Sequence, residues 1–297
     1  MKNFQDSIDK QFEFNQGKNL FSKGILASLR FSPDTLRTIE NIKEIDKASE
    51  SVLIDYLTDR AIHAFCKMNQ YYTFDSQARV SLRNIYTHLF ARLKKKDSSV
   101  EAIAQTHYRH LIEWITTTNP FAEGIYEACG ATVEPVSCAE YSADLQMKIL
   151  RIDTAQILQP VLDMGCGEQG NLVLFLRQKG IEAYGFDRFA FDHSYLSQSD
   201  WFEYSFGKDK WGTITSNLGF SNHFHHHHIR DNGNYIAYAR KYMDILHALK
   251  VGGSFHYAPD LPFVEQYLDK DAYQLTKHRI GDYEFQCSII KRMKEEI

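Results

Sequence analysis

The chain has 297 residues, 43% of them hydrophobic, and a formal net charge of −4. That composition is typical of a globular protein with a sizeable core, and the length suits one large domain or two. The charge disfavours nucleic acid as a partner, because no basic excess is available to neutralise phosphates. No run approaches the roughly 18 apolar residues of a membrane span. The first residues also lack the apolar stretch of a signal peptide, so we expect a cytoplasmic protein.

Five cysteines occur in the chain, an odd number, and no two of them form a Cys-x-x-Cys pair. This argues against both a disulfide framework and a cysteine-based zinc site. We expect reduced thiols at Cys66, Cys129, Cys138, Cys166 and Cys287.

In the first half of the chain, apolar residues recur at helical spacing. The clearest stripe runs from Val100 to Ile115, and a second runs from Leu82 to Leu93. Asn119-Pro120 interrupts the pattern before a shorter helix. We therefore predict an all-helical domain over residues 1–135, which would cover the mouth of the domain that follows and serve as a cap or substrate domain.

From Pro160 onward, short β-type runs alternate with helical segments, which is typical of a parallel sheet with helices on both faces. A helix is predicted at Tyr235–Leu249, ended by Gly252-Gly253. Residues 136–297 are therefore predicted to form a Rossmann-like α/β domain that ends in an antiparallel hairpin. The predicted strands are Val161–Met164, Glu182–Phe186, Gly212–Ser216, Ser254–Ala258 and the two hairpin strands Tyr273–Ile280 and Tyr283–Lys291.

A glycine-rich turn follows the first predicted strand, in the order Asp163-Met164-Gly165-Cys166-Gly167, and leads to a predicted helix at Asn171–Lys179. Glycines there let a ligand approach the backbone closely. Dinucleotide-binding folds share such a turn, but a carboxylate at Asp163 would repel a pyrophosphate. A zwitterionic ligand with a sulfonium and an ammonium group tolerates this acid better. An NAD-dependent oxidoreductase is therefore the least favoured interpretation.

Two more acids follow at the ends of predicted strands. Asp187 ends the second strand, 24 positions after Asp163, where an acid can accept both ribose hydroxyl hydrogens of an adenosine cofactor. Asp200-Trp201 lies where the third strand should end, so Asp200 could accept from an adenine amino group while the indole lines the ring. The alternative is a capping Asp beside a core Trp.

Together with Leu249-Lys250-Val251-Gly252-Gly253-Ser254-Phe255, these motifs resemble the class I S-adenosylmethionine-dependent methyltransferase superfamily over roughly residues 155–291. The resemblance implies a seven-stranded, mostly parallel sheet whose last strand is antiparallel, and S-adenosylmethionine as cofactor. It also implies that Gly165 and Gly167 pass under the methionine moiety, that Asp187 holds the ribose and that Asp200 holds the adenine. The short gap between the two acids departs from the family, because it leaves little room for the usual helix. The predicted cofactor contacts are Asp163, Met164, Gly165, Cys166, Gly167, Asp187, Arg188, Asp200, Trp201, Asn217 and Tyr141.

The segment from Ser216 to His228 should face the acceptor, since ligands of open α/β sheets lie at the carboxyl ends of the strands. It lacks the prolines of the Asn-Pro-Pro-Tyr motif of adenine-amino methyltransferases, which further disfavours DNA. We name His223 and Asn217 as candidate catalytic residues. His223 could deprotonate an acceptor hydroxyl or orient a carboxylate. The alternative is that the histidines cap and solvate a helix beginning near Asn234.

The histidine run itself is not expected to bind a metal ion. Consecutive residues on a helix point about 100° apart, so only His225 and His228 of the run would share a face.

Two other segments are candidates to line the pocket. Cys138–Gln146 could form a lid over the cofactor, or it could be a helix start capped by Ser142. Asp260 follows the fifth strand and could reach the acceptor, although a rigid loop built by Pro259 and Pro262 explains this segment equally well.

We predict an S-adenosylmethionine-dependent methyltransferase that acts on a small-molecule acceptor by O- or N-methylation. Transfer of the aminocarboxypropyl group of the same cofactor stays open, as in the nicotianamine synthase-like family, which also resembles a helical domain followed by a Rossmann domain. A non-catalytic regulatory protein that keeps the cofactor pocket is the second alternative. The helical domain could also dock a protein substrate or form a homodimer interface.

Overall fold

The computed structural model describes residues 2–22, 24–95, 98–126, 130–133, 141–189, 191–281 and 284–294. The chain divides into two compact units, Met1–Cys138 and Ala139–Ile297. This division falls three residues after the predicted boundary at 135/136. Among the residues that the structure describes, no helix combines the length and the apolar character that crossing a membrane requires. Of the predicted thiols, Cys66, Cys166 and Cys287 are buried and form no disulfide, whereas Cys129 and Cys138 lie outside the described residues.

The first unit is helical, as predicted. Side chains cap four of the helices that the structure describes in this unit: Ser32, Asp46, Asp75 and Ser99 each accept a hydrogen bond from a backbone N–H of the first turn. The two predicted apolar stripes lie on the helices Ser76–Lys95 and Val100–Thr118, which bury Leu82 and Ile115 completely. The helices are α1 (Lys2–Asn15), α2 (Pro33–Glu40), α3 (Lys47–Met68), α4 (Ser76–Lys95), α5 (Val100–Thr118) and α6 (Phe121–Tyr126).

The second unit contains a seven-stranded sheet with the strand order β3-β2-β1-β4-β5-β7-β6. The five strands β3, β2, β1, β4 and β5 are each parallel to the next in this order, whereas β7 pairs antiparallel with both β5 and β6. This confirms the predicted fold class, including the antiparallel last strand. The strands are β1 (Val161–Met164), β2 (Ala183–Asp187), β3 (Leu196–Gln198), β4 (Trp211–Asn217), β5 (Leu249–Ala258), β6 (Tyr273–Arg279) and β7 (Gln286–Arg292).

Every residue of β1 and β4 is buried, because these central strands are covered on both faces. One face packs in a core that contains Met164 and Ile214, and the other in a core that contains Val161 and Leu172. The helices of this unit are α7 (Ala143–Leu150), α8 (Asn171–Gln178), α9 (Phe220–His228), α10 (Tyr235–His247) and α11 (Pro262–Glu265).

Two details of the second unit differ from the sequence predictions. The helix predicted to run to Leu249 ends at His247, and β5 already begins at Leu249. The pair Gly252-Gly253 therefore lies inside this strand, where Gly252 has φ +82° and the pairing with β4 shifts register. As the short spacing implied, the described residues between β2 and β3 contain no helix.

Candidate functional site

The glycine turn after β1 has the backbone conformation that only glycine adopts without strain. Gly165 and Gly167 have φ values of +75° and +76°. The N–H groups of Gly165 and Cys166 both donate to the carbonyl of Phe186, which fixes the turn to the end of β2. A Cβ atom at Gly165 would lie 3.5 Å from the indole of Trp201. The turn is thus tied to β2 and exposes bare backbone toward this indole.

Asp163 is a buried acid with one unsatisfied oxygen. The residue is 1% exposed, and its Oδ1 accepts a 2.7 Å hydrogen bond from the Thr215 hydroxyl. Its Oδ2 has no hydrogen-bond partner among the residues that the structure describes. Burial raises the pKa of Asp163 to about 7, the Thr215 hydrogen bond opposes that rise, and the charge of Asp187 adds to it. A cation placed beside Oδ2 would stabilise the ionised form.

Asn217, the last residue of β4, is the second unsatisfied side chain at this edge. It is 9% exposed, and neither amide atom has a hydrogen-bond partner within the described part of the chain. Asp163 pairs in register with Thr215, and alternate residues of a strand lie on the same face. The side chains of Asp163, Thr215 and Asn217 therefore share one face of two neighbouring strands.

Asp187 lies at the end of β2 and is bound to the glycine turn. Its Oδ2 accepts from the N–H of Gly167 at 2.9 Å, and its Oδ1 accepts from the N–H of Arg188 at 2.7 Å. The Arg188 guanidinium is 3.8 Å from the same carboxylate. Burial raises the pKa of Asp187, whereas the Arg188 charge and both backbone hydrogen bonds oppose that rise. The structure thus brings Asp187, Arg188 and Gly167 together, and their contact with a cofactor stays a prediction.

Asp200 and Trp201 follow β3. Asp200 Oδ1 accepts from the N–H of Phe202 at 2.8 Å, which is the geometry of the capping alternative. Trp201 is 8% exposed, and its ring lies 4.8 Å from the ring of His223. A Cβ at Gly219 would lie 3.3 Å from the same indole, so Trp201 spans the turn after β1 and the residue before α9. The adenine contact of Asp200 stays a prediction.

The histidine run forms α9, a helix of its own. His223 is 1% exposed, and its Nδ1 lies 3.4 Å from the Tyr238 hydroxyl. His226 and His227 are also buried, and burial lowers the pKa of His226 to about 3 and that of His227 to about 4. The capping alternative holds for one member, because His227 Nδ1 accepts from the N–H of Asn234 at the start of α10. The remaining buried histidines lie inside the unit and are not solvated.

His225 and His228 share the exposed face of α9, and both rings contact Phe263. Among the described residues, no group of three histidine, cysteine or acidic side chains is placed to hold a metal ion.

The remaining predicted contacts are engaged in protein contacts. Met164 and Cys166 are 0% and 4% exposed, and their side chains are part of the two cores. The Tyr141 carbonyl accepts from the side chains of Gln146 and Asn171. Ser142 caps α7 by accepting from the N–H of Leu145, so the helix-start alternative holds for this part of the segment. Cys138, Ala139 and Glu140 of the suggested lid lie outside the described residues.

Asp260, the second candidate for the acceptor side, has protein partners. Its Oδ2 lies 2.8 Å from Lys277 Nζ, and its Oδ1 accepts from the N–H of Gln286. Lys277 also pairs with the buried Glu265 at 2.6 Å. These contacts connect the loop after β5 to the terminal hairpin, so they support the rigid-loop explanation. Sequence reasoning missed Glu265 and Thr215; the only signal for Thr215 was a polar residue in an otherwise buried strand.

No family model matches this chain, and no curated protein matches it. It is similar to a solved rRNA methylase from Streptococcus thermophilus, with 14% identity and a TM-score of 0.34 over 51% of this chain and 94% of that chain. An S-adenosylmethionine-dependent methyltransferase from Mesorhizobium loti is 18% identical, with a TM-score of 0.30 over 46% of this chain and 59% of that one. A Burkholderia thailandensis 1,6-didemethyltoxoflavin-N1-methyltransferase is 13% identical, with a TM-score of 0.34 over 52% and 80% of the two chains. A cofactor and a reaction are therefore inferred from this chain's own residues.

Proposed function

We propose that the second unit binds S-adenosylmethionine at the carboxyl edge of its sheet and transfers the methyl group to a small-molecule acceptor. The observation that carries the proposal is the pair of unsatisfied buried side chains, Asp163 and Asn217, beside a turn of positive-φ glycines. A buried polar group without a partner is costly to fold, and a ligand ammonium would pair with Asp163 Oδ2. A pyrophosphate would instead be repelled by this carboxylate.

Four of the other predicted contacts then have distinct roles. The bare backbone at Gly165 and Gly167 admits the methionine moiety. The carboxylate of Asp187 retains lone pairs beyond its two backbone hydrogen bonds and can accept from ribose hydroxyls. The Trp201 indole, next to Gly165, provides an aromatic group for a positively charged sulfur.

When bound, S-adenosylmethionine supplies an electrophilic methyl group on a sulfonium sulfur. The residues of this chain then have to hold the acceptor in line with that group and exclude water. The Asn217 amide offers one acceptor and two donor hydrogens for the acceptor molecule's polar group. His223 is the candidate base, and the Tyr238 hydroxyl near its Nδ1 orients the ring. A small-molecule acceptor is favoured over nucleic acid by the net charge of −4.

Calorimetric titration of the full chain with S-adenosylmethionine, S-adenosylhomocysteine and NADH tests the cofactor. We expect micromolar-range binding of the two sulfur ligands, lost in Asp187→Ala and kept in Asp231→Ala, a control acid on the exposed surface. No detectable binding of either sulfur ligand, or tighter binding of NADH, would contradict the proposal.

Product analysis with metabolite extracts tests the reaction. Methyl transfer yields S-adenosylhomocysteine, whereas aminocarboxypropyl transfer would yield methylthioadenosine. We expect S-adenosylhomocysteine, with turnover reduced in Asn217→Ala and His223→Ala. Tight cofactor binding without any turnover of extracts would favour the regulatory alternative.

A further inference from the structure

The helical unit contains two adjoining, partly open cavities of about 310 Å³ and about 120 Å³. Five residues line both of them, Phe12, Asn15, Tyr86, Tyr108 and Leu111. Well-packed cores contain few voids larger than a water molecule. The larger cavity reaches the size of known small-molecule sites, and the smaller one resembles cavities that accept a benzene-sized ring. The pair therefore has the dimensions of a binding site with two compartments.

The smaller compartment is almost entirely apolar but contains one unsatisfied polar side chain. His107 lines it, is 7% exposed, and its Nδ1 has no hydrogen-bond partner among the described residues. Burial lowers the pKa of His107 to about 3, so the imidazole is neutral at physiological pH. Its ring lies between those of Tyr86 and Tyr108, at 5.3 and 5.4 Å. This compartment suits an aromatic ring that carries one hydroxyl group.

The larger compartment is cationic. Lys18, Arg60 and Lys67 line it, opposed by the single acid Glu13. Arg60 is already paired with Asp9. Lys18 is half-buried and donates to the neutral oxygens of Asn15 and Ser28, and no carboxylate partner for it occurs in the described part of the chain. Burial and the charge of Arg30 lower the pKa of Lys18, which a ligand carboxylate would reverse.

We propose that the helical unit binds a hydroxyaryl carboxylate, with its ring in the smaller compartment, its hydroxyl at His107 and its carboxylate at Lys18. The two polar groups line adjoining compartments that share the aromatic side chains Phe12, Tyr86 and Tyr108. This inference concerns residues 1–138 alone and does not rest on the proposed methyl transfer.

Calorimetric titration of the full chain with three probes tests the ligand class. The probes are 3-(4-hydroxyphenyl)propionate, 3-phenylpropionate, which lacks the hydroxyl, and tyramine, which replaces the carboxylate by an ammonium. We expect the phenolic acid to bind best and 3-phenylpropionate to bind roughly tenfold more weakly, the value of one buried hydrogen bond. Tyramine should bind at least about tenfold more weakly, because its charge is repelled by Lys18.

Variants then assign the two contacts. His107→Phe should abolish the preference for the hydroxylated probe, and His88→Phe, on the exposed surface of α4, should keep it. Lys18→Met should weaken both carboxylates, and the exposed control Lys43→Met should not. Leu111→Trp, which places an indole at the wall that both compartments share, should weaken binding of every probe.

Absence of binding by all three probes at millimolar concentration would overturn the proposal. Equal affinities for the two carboxylates would show that His107 does not bind the hydroxyl. Equal affinities for tyramine and the phenolic acid would show that Lys18 does not bind the carboxylate. These comparisons use the unchanged chain and stay decisive even if a variant fails to fold. Loss of S-adenosylmethionine binding would leave the three-probe comparison unaffected.

Discussion

Replacing Asp163 by Asn should stabilise the second unit at neutral pH while weakening its binding of S-adenosylmethionine. Folding raises the pKa of this acid from 3.8 to about 7, mainly through burial. The folded state therefore holds its proton more tightly than the unfolded state. The contribution of Asp163 to the free energy of unfolding is therefore most favourable below pH 3.8, falls as the pH rises toward 7 and levels off above it. One pKa unit corresponds to about 1.4 kcal/mol, so the acid destabilises the folded state by about 4 kcal/mol above pH 7.

The assay is urea unfolding of Asp163→Asn and the unchanged chain, both carrying Trp114→Phe. The remaining tryptophans, Trp201 and Trp211, then report only on the second unit. Asn keeps an acceptor for Thr215 and does not titrate, so groups common to both chains cancel. Between pH 5 and pH 8, the free energy of unfolding of the variant should rise relative to the Asp chain by about 3 kcal/mol. A difference that is constant across this range would refute a protonated, strained Asp163.

Three further outcomes follow from the same contacts. Affinity for S-adenosylmethionine should rise by up to about tenfold from pH 6 to pH 7, because a ligand ammonium selects ionised Asp163, and calorimetry should find no such rise in Asp163→Asn. Gly165→Ala should destabilise the second unit by about 1–2 kcal/mol in urea unfolding, since φ is +75° there; a neutral effect would mean that the turn adapts. Glu265→Gln should cost at least about 2 kcal/mol in the same assay, because Gln keeps the Oε1 acceptor of Tyr257, Ser288 and the N–H of Leu261 but replaces Oε2, which pairs with Lys277 at 2.6 Å, by an NH2 group.

The strands of the second unit could be predicted because buried parallel strands are short apolar runs bounded by turn residues. Val161–Met164 agrees with the observed β1 at both ends, and the hairpin strands agree within a few residues. The placement of β7 between β5 and β6 could not be deduced in the same way. It depends on pairings such as Phe255 with Ile290, which are made across the fold and leave no local pattern.

The site was predictable only where a motif is local. The glycine turn and Asp187 lie at strand ends, and a positive φ explains the glycines. The hydrogen bond between Asp163 and Thr215 joins residues 52 positions apart, and the contact of Trp201 with His223 joins an irregular segment to a helix. Both contacts are set by the tertiary fold and have no local sequence pattern. The cavities of the helical unit have no sequence signature either, because the apolar residues that line them have the same spacing as core residues.

Two buried charged side chains in the second unit have protein partners, and this distinguishes them from Asp163 and Asn217. Glu265 is 5% exposed and has three hydrogen bonds and an ion pair with Lys277. Arg292 is 1% exposed and is paired with Asp209 and with three backbone carbonyls. These two buried charges are therefore paired with protein groups. Unsatisfied polar atoms on two neighbouring strands, beside a turn that exposes bare backbone, are then best explained by a ligand that completes their hydrogen bonds.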